Sequence, residues 1–264
     1  MATTDPDSFQ RLPCHLPRDG KLLNSLALPP SFPIRAFTAR LIHSVMPLTP
    51  PQIEIFRTAI DDYAFPPAYF DFKENKPVKD LTMVEVEAQI RRDLLSHGEV
   101  KDGLSNIVRW GFAQRMGRAE FRVARFRSSV TAHQLEAAWR LFSSNSRPAL
   151  LDIKQLGLPE FSGVSFVSKV RMFLDPEKSA TLDLQIMKTT EHRASSVLST
   201  VKAYSNRIPV TKTNSDAYEA WCARLASIRD RYLNGLRVVD IERGLFHLIQ
   251  TGRTKAAADI LADA

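Results

Sequence analysis

The chain has 264 residues, enough for one large domain or two interlocked lobes. Hydrophobic residues make up 44% and charged residues 25%, a globular balance that excludes disorder, collagen and coiled coil as descriptions of the whole. Lys and Arg number 36 against 29 Asp and Glu, so the chain carries +7 and suits a polyanionic partner, of which nucleic acid is the commonest. No apolar run approaches the roughly 20 residues that span a bilayer, and the first residues lack a basic-then-apolar leader pattern. Two cysteines, Cys14 and Cys222, cannot build a disulfide framework or a four-cysteine cluster. A cytoplasmic location is therefore expected.

Residues 1–48 read as an irregular segment punctuated by Pro13, Pro17, Pro29, Pro30, Pro33 and Pro47. A short helix over 35–45 fits between these breaks. The rest, 49–264, reads as one helical domain. Thr49 followed by Pro50 is a helix start, and Ile53, Phe56 and Ile60 then recur at helical spacing. The stretch 65–77 is aromatic and proline-bearing, and is expected to be a loop. Thr82 and Glu85 form a capping-box pattern ahead of Val86, Ile90 and Leu94. Thr131 with Gln134 repeats that pattern before Leu135, Ala138, Trp139 and Phe142. Later stripes run through Tyr218, Trp221, Leu225, Ile228 and Tyr232, and through Val238, Ile241 and Leu245. Only 120–128 and 179–182 pass for strands. The fold class expected is all-α with short connections.

Residues 105–127 read SNIVRWGFAQRMGRAEFRVARFR. Arginines stand at Arg109, Arg115, Arg118, Arg122, Arg125 and Arg127, interleaved with Trp110, Phe112, Phe121 and Phe126. A guanidinium matches phosphate with a planar fork, and an aromatic ring can stack on a base. The same pattern also describes a helix whose aromatic residues enter the core while its arginines face water. The clustering favours a phosphate-contacting surface, with Arg109, Arg115, Arg118 and Arg122 as the candidates.

Residues 150–186 read LLDIKQLGLPEFSGVSFVSKVRMFLDPEKSATLDLQI. A helix ends at Gly157, a turn follows through Pro159 and Gly163, and a second helix carries Lys169. After a proline-containing turn comes Thr-Leu-Asp at 181–183. This arrangement resembles the helix–hairpin–helix segment of DNA glycosylases. The form GVSFVSK, then FLDP, then LD is similar to bacterial proteins of the 8-oxoguanine DNA glycosylase fold. Arg109-Trp110-Gly111, Tyr218-Glu-Ala-Trp221 and the run RVVDIERGLF at 237–246 fit the same group.

The resemblance implies a two-lobed helical enzyme with an atypical hairpin at 150–174. Such an enzyme grips double-stranded DNA, flips one nucleotide out and breaks its N-glycosidic bond. It places Asp183 beside the developing sugar cation, where a carboxylate stabilises positive charge. Lys169 is its candidate nucleophile, which must act as the neutral amine. Hairpin residues Gly163, Ser165 and Ser168 fall at the DNA backbone, and Trp110, Tyr218 and Trp221 at the base pocket. The implied protein is a monomer without cofactor or metal, associated with a bacterial nucleoid. Its substrate is oxidised guanine or a hypermodified base of the phage type, which means repair or antiphage defence.

Two departures are visible. The hairpin reads LPEFSGVS where the family has an LPG-type turn, so Glu160 stands where a glycine belongs. The gap from Lys169 to Asp183 is shorter than usual by about one helical turn. Lys169 is therefore also readable as a structural lysine, and Asp183 as a plain helix cap. Asp240 and Glu242 read best as partners of a structural ion pair with an arginine. The histidines show no ligand spacing, and there is no Walker A, dinucleotide or GxSxG motif. A catalytically silent DNA-binding protein of the same fold is the alternative.

Overall fold

Three threonines start three helices in the way the sequence implies. In the computed structural model, which describes residues 47–193 and 197–263, Thr49, Thr82 and Thr131 each accept the backbone N–H three residues on. The side chains of Gln52, Glu85 and Gln134 reach back to the cap N–H, completing a reciprocal capping box each time. These begin α1 (Pro50–Asp61), α2 (Met83–Leu95) and α5 (Ala132–Ser144). The other helices are α3 (Val100–Gly111), α4 (Met116–Ser129), α6 (Leu150–Gln155), α7 (Val164–Leu174), α8 (Leu184–Met187), α9 (Lys212–Tyr232), α10 (Val238–Gln250) and α11 (Thr254–Asp263). A 3-10 turn, Lys188–Glu191, continues α8. The all-α reading holds for the described residues, which belong to a unit spanning Ser44–Ala264. None of their helices is long and apolar enough to cross a membrane. The proline-rich 1–46 and the short helix expected over 35–45 lie outside the described residues.

Two expectations give way. The loop over 65–77 contains an antiparallel hairpin, β1 (Tyr69–Asp71) with β2 (Lys76–Val78), paired Tyr69 to Val78 and Asp71 to Lys76. Asp71 makes its turn by accepting the N–H groups of Lys73 and Glu74. Buried Asn106 of α3 then grips Phe70 like a neighbouring strand, accepting its N–H at 2.9 Å and donating to its carbonyl at 3.1 Å. Three-residue strands are too short to show a period, and their anchor is 36 residues away. The strand-like stretch 120–128 is instead the body of α4. Its alternation of arginine and apolar residues mimics period two, but Ala119, Val123 and Phe126 are buried at helical spacing. The stretch 179–182 is extended without strand partners.

The packing partners of the helices fall into two sets. α3 is buried along nearly its whole length and packs against α2, α4, α5, α7 and β1. α10 packs against α1, α8, α9 and α11. Glycines permit the closest approaches. A Cβ on Gly244 of α10 would stand 2.6 Å from Phe56 and 2.5 Å from Ile60 of α1. A Cβ on Gly103 would stand 2.9 Å from the backbone of Leu94. Thus the Gly244 in the RVVDIERGLF run has a packing reason. The cavity described next is lined by residues of both sets.

Candidate functional site

The extended stretch 179–182 is the foundation of the site. It has no ladder to satisfy its backbone, so side chains do so. Buried Tyr218 donates its hydroxyl to the Ala180 carbonyl at 2.9 Å, and buried Trp221 donates to the Thr181 carbonyl at 3.3 Å. Ser168 of α7 accepts the Leu182 N–H at 3.1 Å. These residues therefore work behind the site. Tyr218 and Trp221 do not line the cavity, and Ser168 is fully buried, so none of the three meets a base or a phosphate directly. The held stretch delivers Asp183 to the start of α8, where its Oδ1 accepts the N–H groups of Gln185 at 2.9 Å and Ile186 at 3.2 Å. Asp183 is thus a helix cap, and it also faces the cavity.

That cavity has a volume of about 450 Å³. Lys169, Asp183 and Glu242 line it, with Trp110, Phe112, Phe65 and Phe246 among its walls. Phe65 and Trp110 pack at 4.8 Å between centroids, and Phe65 meets Phe246 edge-on at 6.5 Å. Gly111, next to Trp110, matters here. A Cβ on it would stand 2.7 Å from the Phe166 ring and 3.6 Å from Cδ of Lys169. The Arg-Trp-Gly motif therefore supplies a wall and the space for the Phe166 ring beside it.

Lys169 is buried. Its Nζ donates to the Ser165 carbonyl at 3.2 Å and to Ser165 Oγ at 3.3 Å, and lies 5.8 Å from the Trp110 ring centre. Burial lowers its pKa, opposed by the nearby carboxylates of Asp183 and Glu242. Neither carboxylate forms a direct ion pair with it. Gly163 caps α7 with its backbone alone, and Ser165 serves Lys169.

Glu242 departs from the expectation of a structural ion pair, while Asp240 meets it. Arg237 and Arg243 both bind Asp240, at 2.7 and 3.3 Å, and both reach across to buried Glu87 of α2. Every carboxylate of that cluster has a guanidinium. Glu242 has no ion pair and no hydrogen bond among the described residues, and lines the cavity with 6% of its surface exposed. Burial and the neighbouring Asp183 push its carboxyl up, to about 8, against the pull of Arg243 and Lys169. The sequence signal for this face was the spacing of Glu242 and Phe246, one turn apart on α10 and both on the cavity. Tyr63, Phe65 and Gln185 also line it and carried no sequence signal.

The six arginines of 109–127 divide. Arg109 is buried with its guanidinium 4.8 Å from the Phe70 ring centre, away from the cavity. Arg127 binds Asp102 at 2.5 Å and lies over Phe72. Arg122 and Arg125 bind Glu160 at 2.8 and 2.5 Å. Arg115 and Arg118 line the cavity, are exposed, and have no carboxylate partner among the described residues. The hairpin itself is closed. Glu160 stands at φ +69° with its carboxylate buried under the two arginines, and the Val164 N–H is taken by the Ile208 carbonyl at 2.9 Å. Neither Arg109 nor Arg122 is placed as a free phosphate contact.

Among the described residues, no three His, Cys, Asp or Glu side chains gather as a metal site would. Comparison of the chain with family models, with curated proteins and with solved structures found no match.

Proposed function

We propose that the protein is a DNA base-excision glycosylase, with the cavity between the two helix sets as the pocket for a flipped nucleotide. The observation that supports this most directly is the meeting of Lys169 and Asp183 in one aromatic-walled cavity. A pocket of this volume is ordinary for a small ligand, with a few polar groups set among apolar walls. Asp183 stands ready to stabilise positive charge on the sugar. Lys169, desolvated by burial, is biased toward the neutral amine that attack on C1′ requires. Arg115, Arg118 and Lys188 line the same cavity and suit the phosphates that flank an extruded nucleotide. In this reading the two helix sets are the lobes of a helix–hairpin–helix glycosylase whose strand grip has moved from the hairpin to the cavity edge. The substrate is oxidised guanine or a phage-type hypermodified base, and the role is repair or antiphage defence.

The closed hairpin favours one competing reading, a catalytically silent DNA-binding protein. Base release separates the two. The wild type and Asp183→Asn are incubated with ordinary, oxidised and phage-hypermodified genomic DNA, and free bases are identified by mass spectrometry. Asn caps a helix as well as Asp does, so the variant keeps its fold. A base freed by the wild type alone supports the glycosylase. Salt-sensitive binding with no base released from any DNA refutes it in favour of the silent protein. Borohydride trapping of a covalent Lys169 adduct tests the nucleophile.

A further inference from the structure

We propose that Glu242 is the acid that protonates the departing base, working in tandem with the Lys169 amine. The inference rests on the glycosylase reading and adds a catalytic residue to it. Two carboxyl groups share the cavity in opposite environments. Asp183 accepts two backbone N–H groups. Among the described residues Glu242 accepts none and meets no cation directly, and it is buried, so its neutral form is the one its surroundings tolerate. Environments that drive two carboxyls apart assign one to charge stabilisation and the other to proton transfer. Trp110 Nε1 and Thr181 Oγ1, on residues lining the same cavity, are also buried without a hydrogen-bond partner among the described residues.

The step balances within the chain. The Lys169 amine lone pair forms the bond to C1′. The C1′–N bond breaks, its electron pair goes to the base, and the Glu242 hydroxyl proton goes to the same base, which leaves neutral. The new ammonium on Lys169 then returns its extra proton to the Glu242 carboxylate. The net change is exchange of the base for the lysine nitrogen at C1′, with Glu242 restored.

The active form holds one proton on Glu242 and none on Lys169. The groups that set its titration are Asp183 before α8, Lys169 of α7, Tyr63 after α1, and Asp240 and Arg243 on α10 itself. Arg115, Arg118 and Lys188 stand along the same cavity. Base release should be bell-shaped in pH. The acid limb is loss of the Lys169 proton, and the alkaline limb is loss of the Glu242 proton.

The test is single-turnover release from a synthetic duplex carrying 8-oxoguanine and from a phage DNA fragment carrying a hypermodified base. Wild type, Glu242→Gln, Glu242→Asp and Asp183→Asn are compared from about pH 5 to 10. Expected for Glu242→Gln is a loss of about a hundredfold or more at neutral pH, within the usual range for a general acid, with the alkaline limb gone. Glu242→Asp should restore that limb at a reduced rate. A base made electron-poor, which leaves without a proton, should narrow the gap between wild type and Glu242→Gln. Unchanged binding to a duplex carrying a pyrrolidine abasic analogue shows that the variant keeps its pocket. A wild type active with Glu242→Gln at its rate and pH profile overturns this inference alone. A wild type that releases no base overturns the glycosylase reading, and the inference with it.

Discussion

Replacing Glu87 by alanine should break the charge cluster that ties α2 to α10. Glu87 is buried on α2 and binds both Arg237 and Arg243 of α10, residues 150 and 156 positions away. Its removal leaves two guanidiniums, with 19% and 7% of their side chains exposed, sharing Asp240 alone. Breaking a buried ion pair from one side costs about 3–5 kcal/mol, and the retained Asp240 contacts place this case near the low end, about 3 kcal/mol. For a protein of this size that lowers Tm by about 6–12 °C. Urea unfolding followed by circular dichroism would measure it, as a lower midpoint at unchanged slope. The double variant Glu87→Ala/Arg243→Met should recover part of the loss, because removing both partners spares the stranded charge. A cost for Glu87→Ala below about 1 kcal/mol would show that the cluster is solvated, and would refute the argument.

Other outcomes are expected. Arg115→Ala and Arg118→Ala should each weaken DNA binding and reduce the salt slope by about one. Arg122→Ala should leave that slope unchanged and destabilise the protein instead, since it leaves the buried Glu160 carboxylate with Arg125 alone. Titration of binding against salt would separate the two groups. Gly111→Ala should cost about 1–3 kcal/mol through overpacking against the Phe166 ring, measurable as a lower urea midpoint. Asp93, whose carboxyl burial pushes up to about 6 against the Tyr69 hydrogen bond, gives a pH test. A folded pKa above the unfolded one means that stability is lost as pH rises between the two. Asp93→Asn should therefore raise Tm above about pH 6 and change little at pH 4, as thermal scans at both would show.

Local rules made the helices readable. A cap residue and the residue three places on are neighbours in sequence, so Thr49, Thr82 and Thr131 announced their helices, and Gly157 at φ +62° announced a stop. The motif residues Lys169 and Asp183 were also singled out, and the fold brings both to one cavity. Each remaining role depends on a partner distant in the chain. Tyr218 and Trp221 present the same helical stripe whether they wall a pocket or, as here, hold a carbonyl 38 and 40 residues away. Six arginines in one segment look alike until the fold hands Glu160 to two of them and Phe70 to another. Asp240 and Glu242 differ by two positions on one helix. The direction in which each points decides that one meets two guanidiniums and the other the cavity. The sequence by itself determined the helical class and the caps, because these follow from local spacing, while Lys169 and Asp183 were singled out by resemblance alone. Only the tertiary structure decided which charges are neutralised, because desolvation and ion pairing depend on what packs opposite.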